Sequence, residues 1–542
     1  MISKNIKYFL MAGVVSCGFT AALTACSDWD DHYENLGAES GSQTSLWQEM
    51  SSNPQLSDFC KVLEETKVFR MHKKTPTSYA QLLDGGQSFT VVAPVNGTFN
   101  RDSLLQLVQT NQGDSIVEKF FILNHLSRTA KSAKETEEKM LMLNSKNMYI
   151  TTGSINGVAI SKPNIHTKNG VLHIASTPLP YEHNLYEALS DFPEMGGVGQ
   201  QLRKYEEDYF YADASVSSGI VEGVPVYVDS VVIERNRLLW SIGYLNDEDS
   251  TYWVVAPRSE GWQKAWENAK QYFVYDEKVL KRDSLQEYWT TRALMDDAVF
   301  NLNEKRNQSG DSLYAVPYLS WQRSWVSGKP VFHRFLKSTL LNGTTEKHCS
   351  NGKLFEVDEW PFTPEQTFLK EIWTEGEGTW LITAEKDCSY NTRTQVADSI
   401  SSNAYLQIIP RTATSNWELT YRLNNTLAGD YDICAVILPR SVAGLDNGKP
   451  CKFKAVLNYV DEKGSSQTYN FENVQFKSNP EKVDTVMLGT FRLPVCNYDQ
   501  SDIKFSLKLQ CSILARETAN YSREMYLDCI YLRPRTSNSE EQ

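Results

Sequence analysis

The sequence predicts a multidomain chain in which two α+β domains in tandem precede an all-β sandwich or jelly roll. Three observations carry this. An apolar leader ends in small residues and a cysteine, a strand-like segment near residue 90 is echoed near residue 253, and past Pro364 helical periodicity gives way to short alternating runs. The length that remains after the leader fits three ordinary domains.

The leader comes first. Lys4 and Lys7 precede the apolar run Phe9-Leu10-Met11-Ala12-Gly13-Val14-Val15, and small residues lead on to Leu23-Thr24-Ala25-Cys26. This is the pattern of a secretory signal over residues 1–25. Its apolar core falls short of the roughly 20 residues that a spanning helix needs. Leu23-Thr24-Ala25-Cys26 resembles the lipobox of bacterial lipoproteins, which implies acylation of Cys26 and a cut before it. The acidic stretch Ser27-Asp28-Trp29-Asp30-Asp31 resembles the surface-export signal of Bacteroidetes lipoproteins, so residues 26–42 are expected to be a linker between an outer-membrane lipid anchor and a surface-exposed protein.

No further membrane-spanning segment is expected in the sequence. The net charge of −13, with 41% hydrophobic and 11% aromatic residues, describes an acidic globular protein with no basic stripe to neutralise phosphates, which argues against a nucleic-acid partner. Cys60 and Cys349 stand apart, whereas Cys388, Cys434, Cys451, Cys496, Cys511 and Cys529 cluster in the last third. An envelope protein is free to form disulfides. Cys434, however, sits inside the apolar run Ile433-Cys434-Ala435-Val436-Ile437, and buried core thiols are the better expectation.

The tandem domains follow from a repeat. Ser88-Phe89-Thr90-Val91-Val92-Ala93-Pro94 aligns in register with Thr251-Tyr252-Trp253-Val254-Val255-Ala256-Pro257. Each copy is followed at a distance by an Asn-Gly turn that feeds a strand, Asn169-Gly170-Val171-Leu172-His173-Ile174 and Asn351-Gly352-Lys353-Leu354-Phe355. Phe-Thr-Val-Val-Ala-Pro reads as a buried strand closed by a proline that cannot donate to a ladder. Helices are expected from Asp102-Ser103-Leu104 and Asp283-Ser284-Leu285. These boxes resemble the two signature boxes of the fasciclin (FAS1) family. The resemblance implies one such domain over residues 43–182, with Asn124-His125-Leu126 in the place of the family's Tyr-His, and a degenerate second over 183–362. In the second, Arg258-Ser259 replaces the usual Thr-Asn, and a polar, then Trp-rich excursion over residues 301–325 accounts for the extra length. His125 and His173 are expected to be hydrogen-bonded structural residues, with no metal assigned.

Residues 363–542 read differently. Ala404–Ile409, Trp417–Tyr421, Lys452–Leu457 and Phe505–Leu509 alternate in polarity, and between them stand the turns Leu445-Asp446-Asn447-Gly448 and Asp461-Glu462-Lys463-Gly464. Many short strands with regular turns predict a sandwich or jelly roll. The segment Ala428–Pro439 resembles a strand of galactose-binding-like jelly rolls. Trp373, Trp380, Tyr390 and Trp417 are the candidate ligand-binding residues, since aromatic faces stack on the apolar faces of sugars.

No Gly-x-Ser-x-Gly elbow, His-Glu-x-x-His, P-loop or Gly-x-Gly-x-x-Gly occurs. A glycosidase's carboxylate pair carries no short signature and stays open. No cofactor is implied. The expectation is therefore a non-enzymatic surface lipoprotein that binds a glycan or a protein partner, as an accessory of an outer-membrane nutrient-uptake system. The alternative is an adhesin that makes its contacts through the FAS1 domains, with the sandwich as a spacer.

Overall fold

The computed structural model describes residues 43–70, 73–212, 216–221, 224–229, 232–316, 333–394, 400–445, 448–471 and 475–535. The leader, the acidic linker and Cys26 lie outside the described residues. Among the described residues no helix is long and apolar enough to cross a membrane. The chain divides into two compact units between Glu182 and His183.

The first unit is built on one sheet. Its strand β1 (Phe89–Pro94), second from one edge, is buried at every position and pairs in parallel with β2 (Gly170–Ala175), Phe89 opposite Gly170 and Pro94 opposite Ala175. The remaining strand pairs of this unit run antiparallel. A buried amide organises the unit. Asn169 accepts from the Leu46 amide at 2.8 Å and donates to the carbonyls of Leu83 and Gly85, both at 2.8 Å. The Leu46 amide opens helix α1 (Leu46–Ser51), where the Ser45 hydroxyl and the Gln48 side chain form a reciprocal capping box. Gly170, at φ +153°, lies so close to the Phe89 carbonyl that a Cβ would sit 1.9 Å from it, so only glycine fits there.

The second unit opens with the same arrangement. Strand β3 (Tyr252–Pro257) pairs in parallel with β4 (Gly352–Val357), Tyr252 opposite Gly352 and Pro257 opposite Val357. Asn351 accepts from the Leu185 amide at 2.9 Å and donates to the carbonyls of Leu245 (2.8 Å) and Asp247 (2.9 Å). Leu185 opens helix α2 (Leu185–Asp191), which Asn184 and Glu187 cap as Ser45 and Gln48 cap α1. Gly352, at φ +150°, approaches the Tyr252 carbonyl as Gly170 approaches that of Phe89. Two longer helices, α3 (Ser259–Lys270) and α4 (Arg282–Met295), follow. The expected surface excursion after Asn301 is partly core. Leu313, on a short strand (Ser312–Tyr314) that pairs with Arg334–Leu336, and Ala315 just after it are buried in one cluster with Val255 of β3 and Phe355 of β4. Residues 317–325 of that excursion lie outside the described residues.

The rest of the second unit is all β. One antiparallel sheet contains β5 (Ile372–Glu375), β7 (Cys388–Thr394), β8 (Ala404–Pro410), β10 (Gly429–Ile437), β13 (Asp484–Leu493) and β15 (Met525–Pro534), in the order β7-β8-β15-β10-β13, with β5 also on β15. The other orders β6 (Ile382–Lys386), β9 (Glu418–Leu423), β14 (Phe505–Cys511), β11 (Lys452–Val460) and β12 (Ser466–Asn470) as β6-β9-β14-β11-β12, with the short strand Phe476–Lys477 also on β11. Alternation sets the faces. Leu419, Tyr421 and Leu423 of β9 and Phe505, Leu507 and Leu509 of β14 share one buried cluster with Tyr431, Ile433 and Ala435 of β10. Each large apolar side chain so buried contributes roughly 1.5–3 kcal/mol. The cysteines among the described residues, Cys60 to Cys529, are all buried thiols, as the apolar setting of Cys434 predicts. In the turn Asp461-Glu462-Lys463-Gly464, Gly464 takes φ +74°; Asp446 and Asn447 lie outside the described residues.

The compact unit that begins at His183 does not end at residue 362. The same cluster runs from Leu185 through Phe273 and Phe368 to Leu532, so the sandwich and the repeat before it form one unit.

Candidate functional site

The four aromatic candidates part company in the structure. Trp417 is fully buried, and its indole N–H donates to the Arg523 carbonyl at 2.6 Å. It offers no face to a ligand; its parity on the strand, two residues before Leu419, turns it into the core. Tyr390 is half-buried against the same core on β7 and does not line the cleft that holds the other two. Trp373 and Trp380 come together, lining a cleft of about 350 Å³.

Trp373 stands on β5 opposite Tyr531 of β15. The two rings stack, with centroids 4.9 Å apart and planes 24° apart. Beyond β5 the chain turns sharply. The Gly376 amide donates to the Asp528 carbonyl at 2.7 Å, and the Tyr421 hydroxyl donates to the Gly376 carbonyl at 2.9 Å. A Cβ on residue 376 would lie 2.4 Å from the Leu527 carbonyl, so this approach requires glycine. The turn presents Trp380 at 71% exposure while Leu381, the next residue, is buried. The cleft is also lined by Arg422 from the end of β9, by Asn424 and Asn425 from the loop after it, and by Gln500 and Ser501. Arg422 Nε donates to Asn424 Oδ1 at 2.7 Å. Arg422, the two asparagines and Gln500 have no sequence signature that marks them.

An acidic cluster adjoins the cleft. Strand pairing sets Glu375 opposite Cys529, and an extra residue in β15 against β10 places Asp528 in a bulge. The donor atoms of Glu375, Asp528 and Cys529 lie within 4.8 Å of one another. Ser401 holds two of them, its hydroxyl donating to Glu375 Oε1 at 2.8 Å and its amide to Asp528 Oδ1 at 3.1 Å. Burial first, then repulsion among the acids, pushes Asp528 up to about 7, and burial and the Glu375 charge push Glu377 up to about 7. These are the side chains whose geometry could accept a cation. Proton uptake meets the same crowding of negative charge.

In the first unit both histidines are engaged by backbone. His125 Nδ1 donates to the Phe121 carbonyl at 2.7 Å, and Nε2 accepts from the Leu179 amide at 2.9 Å. His173 accepts from the Asn164 amide at 3.2 Å and donates to the Lys131 carbonyl at 3.1 Å. Burial holds His125 down to about 4, hence neutral at physiological pH.

Residues 55–180 match the family model of the Fasciclin domain. No curated protein matches the chain. Solved structures that resemble it in part include the GH26-CBM35 β-(1,4)-mannanase of Podospora anserina, at 12% identity over 31% of this chain and 28% of that chain, with a TM-score of 0.20. Another is the CBM22-1 xylan-binding domain from Paenibacillus barcinonensis, at 16% identity over 30% of this chain and 85% of that one, TM-score 0.18. A third is a family 35 carbohydrate binding module from Clostridium thermocellum, at 8% identity over 30% and 97% of the two chains, TM-score 0.19.

Proposed function

We propose that the protein acts by binding, with no catalysis, and that the Trp373–Trp380 cleft takes a glycan. The observation that carries this reading is the pairing, in one cleft, of a largely exposed indole and a half-buried one with amide, hydroxyl and guanidinium groups. Aromatic faces supply dispersion against the C–H faces of a sugar ring, and the polar lining groups supply hydrogen bonds to its hydroxyls. The proposal extends to the rest of the chain. Residues 183–362 are a second, divergent fasciclin-type domain, supported by the shared parallel register and the shared Asn-Gly clasp; an experimental structure that sets β3 and β4 apart would end that reading. The leader and Cys26 make the protein an outer-membrane lipoprotein displayed at the cell surface, serving a nutrient-uptake system.

Trp380→Ala is expected to weaken binding to a cognate polysaccharide by roughly 1–3 kcal/mol, measured by calorimetry, with the melting temperature unchanged. If polysaccharide affinity is unaffected in that variant while the intact protein's attachment to cells is lost on substitutions within residues 43–362, the adhesin reading replaces this one. For the anchor, Cys26→Ala should abolish metabolic labelling by a fatty acid and release the protein from the membrane fraction. Labelling that persists in that variant would sink the lipoprotein assignment.

A further inference from the structure

We propose that the cleft selects a glycan bearing an anionic group, a uronate carboxylate or a sulfate ester, and that Arg422 is the residue that reads it. This rests on the glycan reading of the same cleft and narrows it to a class of ligand.

The argument starts from the charges that reach the cleft. Two charged side chains line it, Glu375 and Arg422. Glu375 is 6% exposed, and its carboxylate is turned to Ser401 and toward Asp528 and Cys529. It is a wall group with little to offer a ligand. Arg422 is half-buried, so the accessible charge is positive.

Arg422 is also held ready. Its neighbours Tyr421 and Leu423 are fully buried in the sandwich, which fixes the backbone beneath it. Asn424 takes the Nε proton and sets the plane of the guanidinium, leaving both terminal nitrogens to pair with a two-oxygen anion. Among the described residues no carboxylate lies within 4 Å of this group. Elsewhere in the same module Arg533 meets Glu371 at 2.8 Å and Arg492 meets Asp430 at 2.8 Å. The buried Arg523 spends its terminal nitrogens on the Ala413 and Ile513 carbonyls at 3.0 and 2.9 Å, whereas those of Arg422 have no such partners among the described residues. A half-buried guanidinium without a counter-charge pays desolvation that an anionic ligand would offset. The chain as a whole carries −13, so long-range attraction does not gather polyanions, and the preference has to arise locally, at Arg422.

The test uses the full-length mature protein against polygalacturonate, its fully methyl-esterified form, a sulfated galactan and the unsulfated galactan, with affinities read by calorimetry. The esterified polymer has the same backbone without the charge. We expect the wild type to bind at least one anionic polymer about tenfold or more tighter than its neutral counterpart. Arg422→Gln should erase that preference, the anionic polymer losing about tenfold more affinity than its neutral counterpart, and Arg422→Lys should keep part of it. Which anionic polymer is preferred tells carboxylate from sulfate. Equal binding of charged and neutral forms, lost in Trp380→Ala, overturns the inference and leaves the glycan reading standing. An absence of binding to all four polymers, extended to a panel of neutral β-glucans, mannans and xylans, overturns both. A preference that survives in Arg422→Gln with an unchanged melting temperature removes Arg422 from the role.

Discussion

Asp528 and Glu377 carry carboxyls that titrate near 7 in the folded chain and near 4 when it is unfolded. The folded state therefore binds more protons between those values, and stability falls as pH rises through the window. The stabilisation is fully present below about pH 4 and is lost as pH passes about 7. Other groups titrate in the same range, so the informative quantity is a difference. The melting temperature of the wild type, minus that of Asp528→Asn, should decline from pH 5 to pH 8. A difference that stays flat across the window means that the acids are neutralised by something other than protons. At the same scale, Trp417 and Trp380 are alike in composition and opposite in fate. Trp417, Leu419, Tyr421 and Leu423 share one strand parity and go inward together; Trp380 sits in a glycine-rich turn where no parity applies. Residue type alone nominates both, and only the period of the neighbouring strand separates them.

At the scale of elements, much was legible because strands and turns are written locally. Phe89–Pro94 is a continuous apolar run closed by proline, and it forms a strand buried at every position. The helix starts at Asp102 and Asp283 lie one residue inside the observed helices. The Asn-Gly boxes were visible as turns, but their larger role was not. Asn169 and Asn351 each tie a helix start and a loop to the parallel strand pair, across 123 and 166 residues respectively. A hydrogen bond at such separation leaves no periodic trace in the sequence; its only mark is that the same dipeptide recurs at the same place in both copies. The cleft follows the same logic. Its aromatic residues come from a strand and turn near residue 376, whereas Arg422 arrives from the end of β9 and Gln500 from the loop between β13 and β14, brought there by sheet order that no local pattern encodes.

At the scale of the whole molecule, the sequence suggests a module that starts at residue 363, because the texture turns all β there, yet the structure closes no core at that point. The segment after α3 is stitched to the sandwich by backbone: the Ala428 amide donates to the Tyr272 carbonyl at 2.9 Å and the Glu277 amide to the Glu462 carbonyl at 2.9 Å. Side chains follow. The Tyr275 hydroxyl donates to the Tyr498 carbonyl at 3.0 Å, Trp289 packs edge-on to Tyr498 at 4.7 Å, and the fully buried Asp276 pairs with Lys504 at 3.0 Å. Cutting at 363 would uncover Phe368, whose buried ring packs on Tyr272 and Phe273 at 5.5 and 5.7 Å, and would strip the Cys496 amide of its bond to the Val274 carbonyl. Each large apolar side chain exposed costs roughly 1.5–3 kcal/mol, against a total stability of about 5–15 kcal/mol for a typical domain. Residues 363–542 produced alone should therefore aggregate or melt without cooperativity, whereas residues 183–542 should unfold in one sharp transition and keep the affinity of the intact protein for its polysaccharide. Calorimetric melting of the two fragments decides it: a cooperative, ligand-binding fragment 363–542 would show that the sandwich is an independent domain and that the joint through Tyr272–Asp276 contributes little.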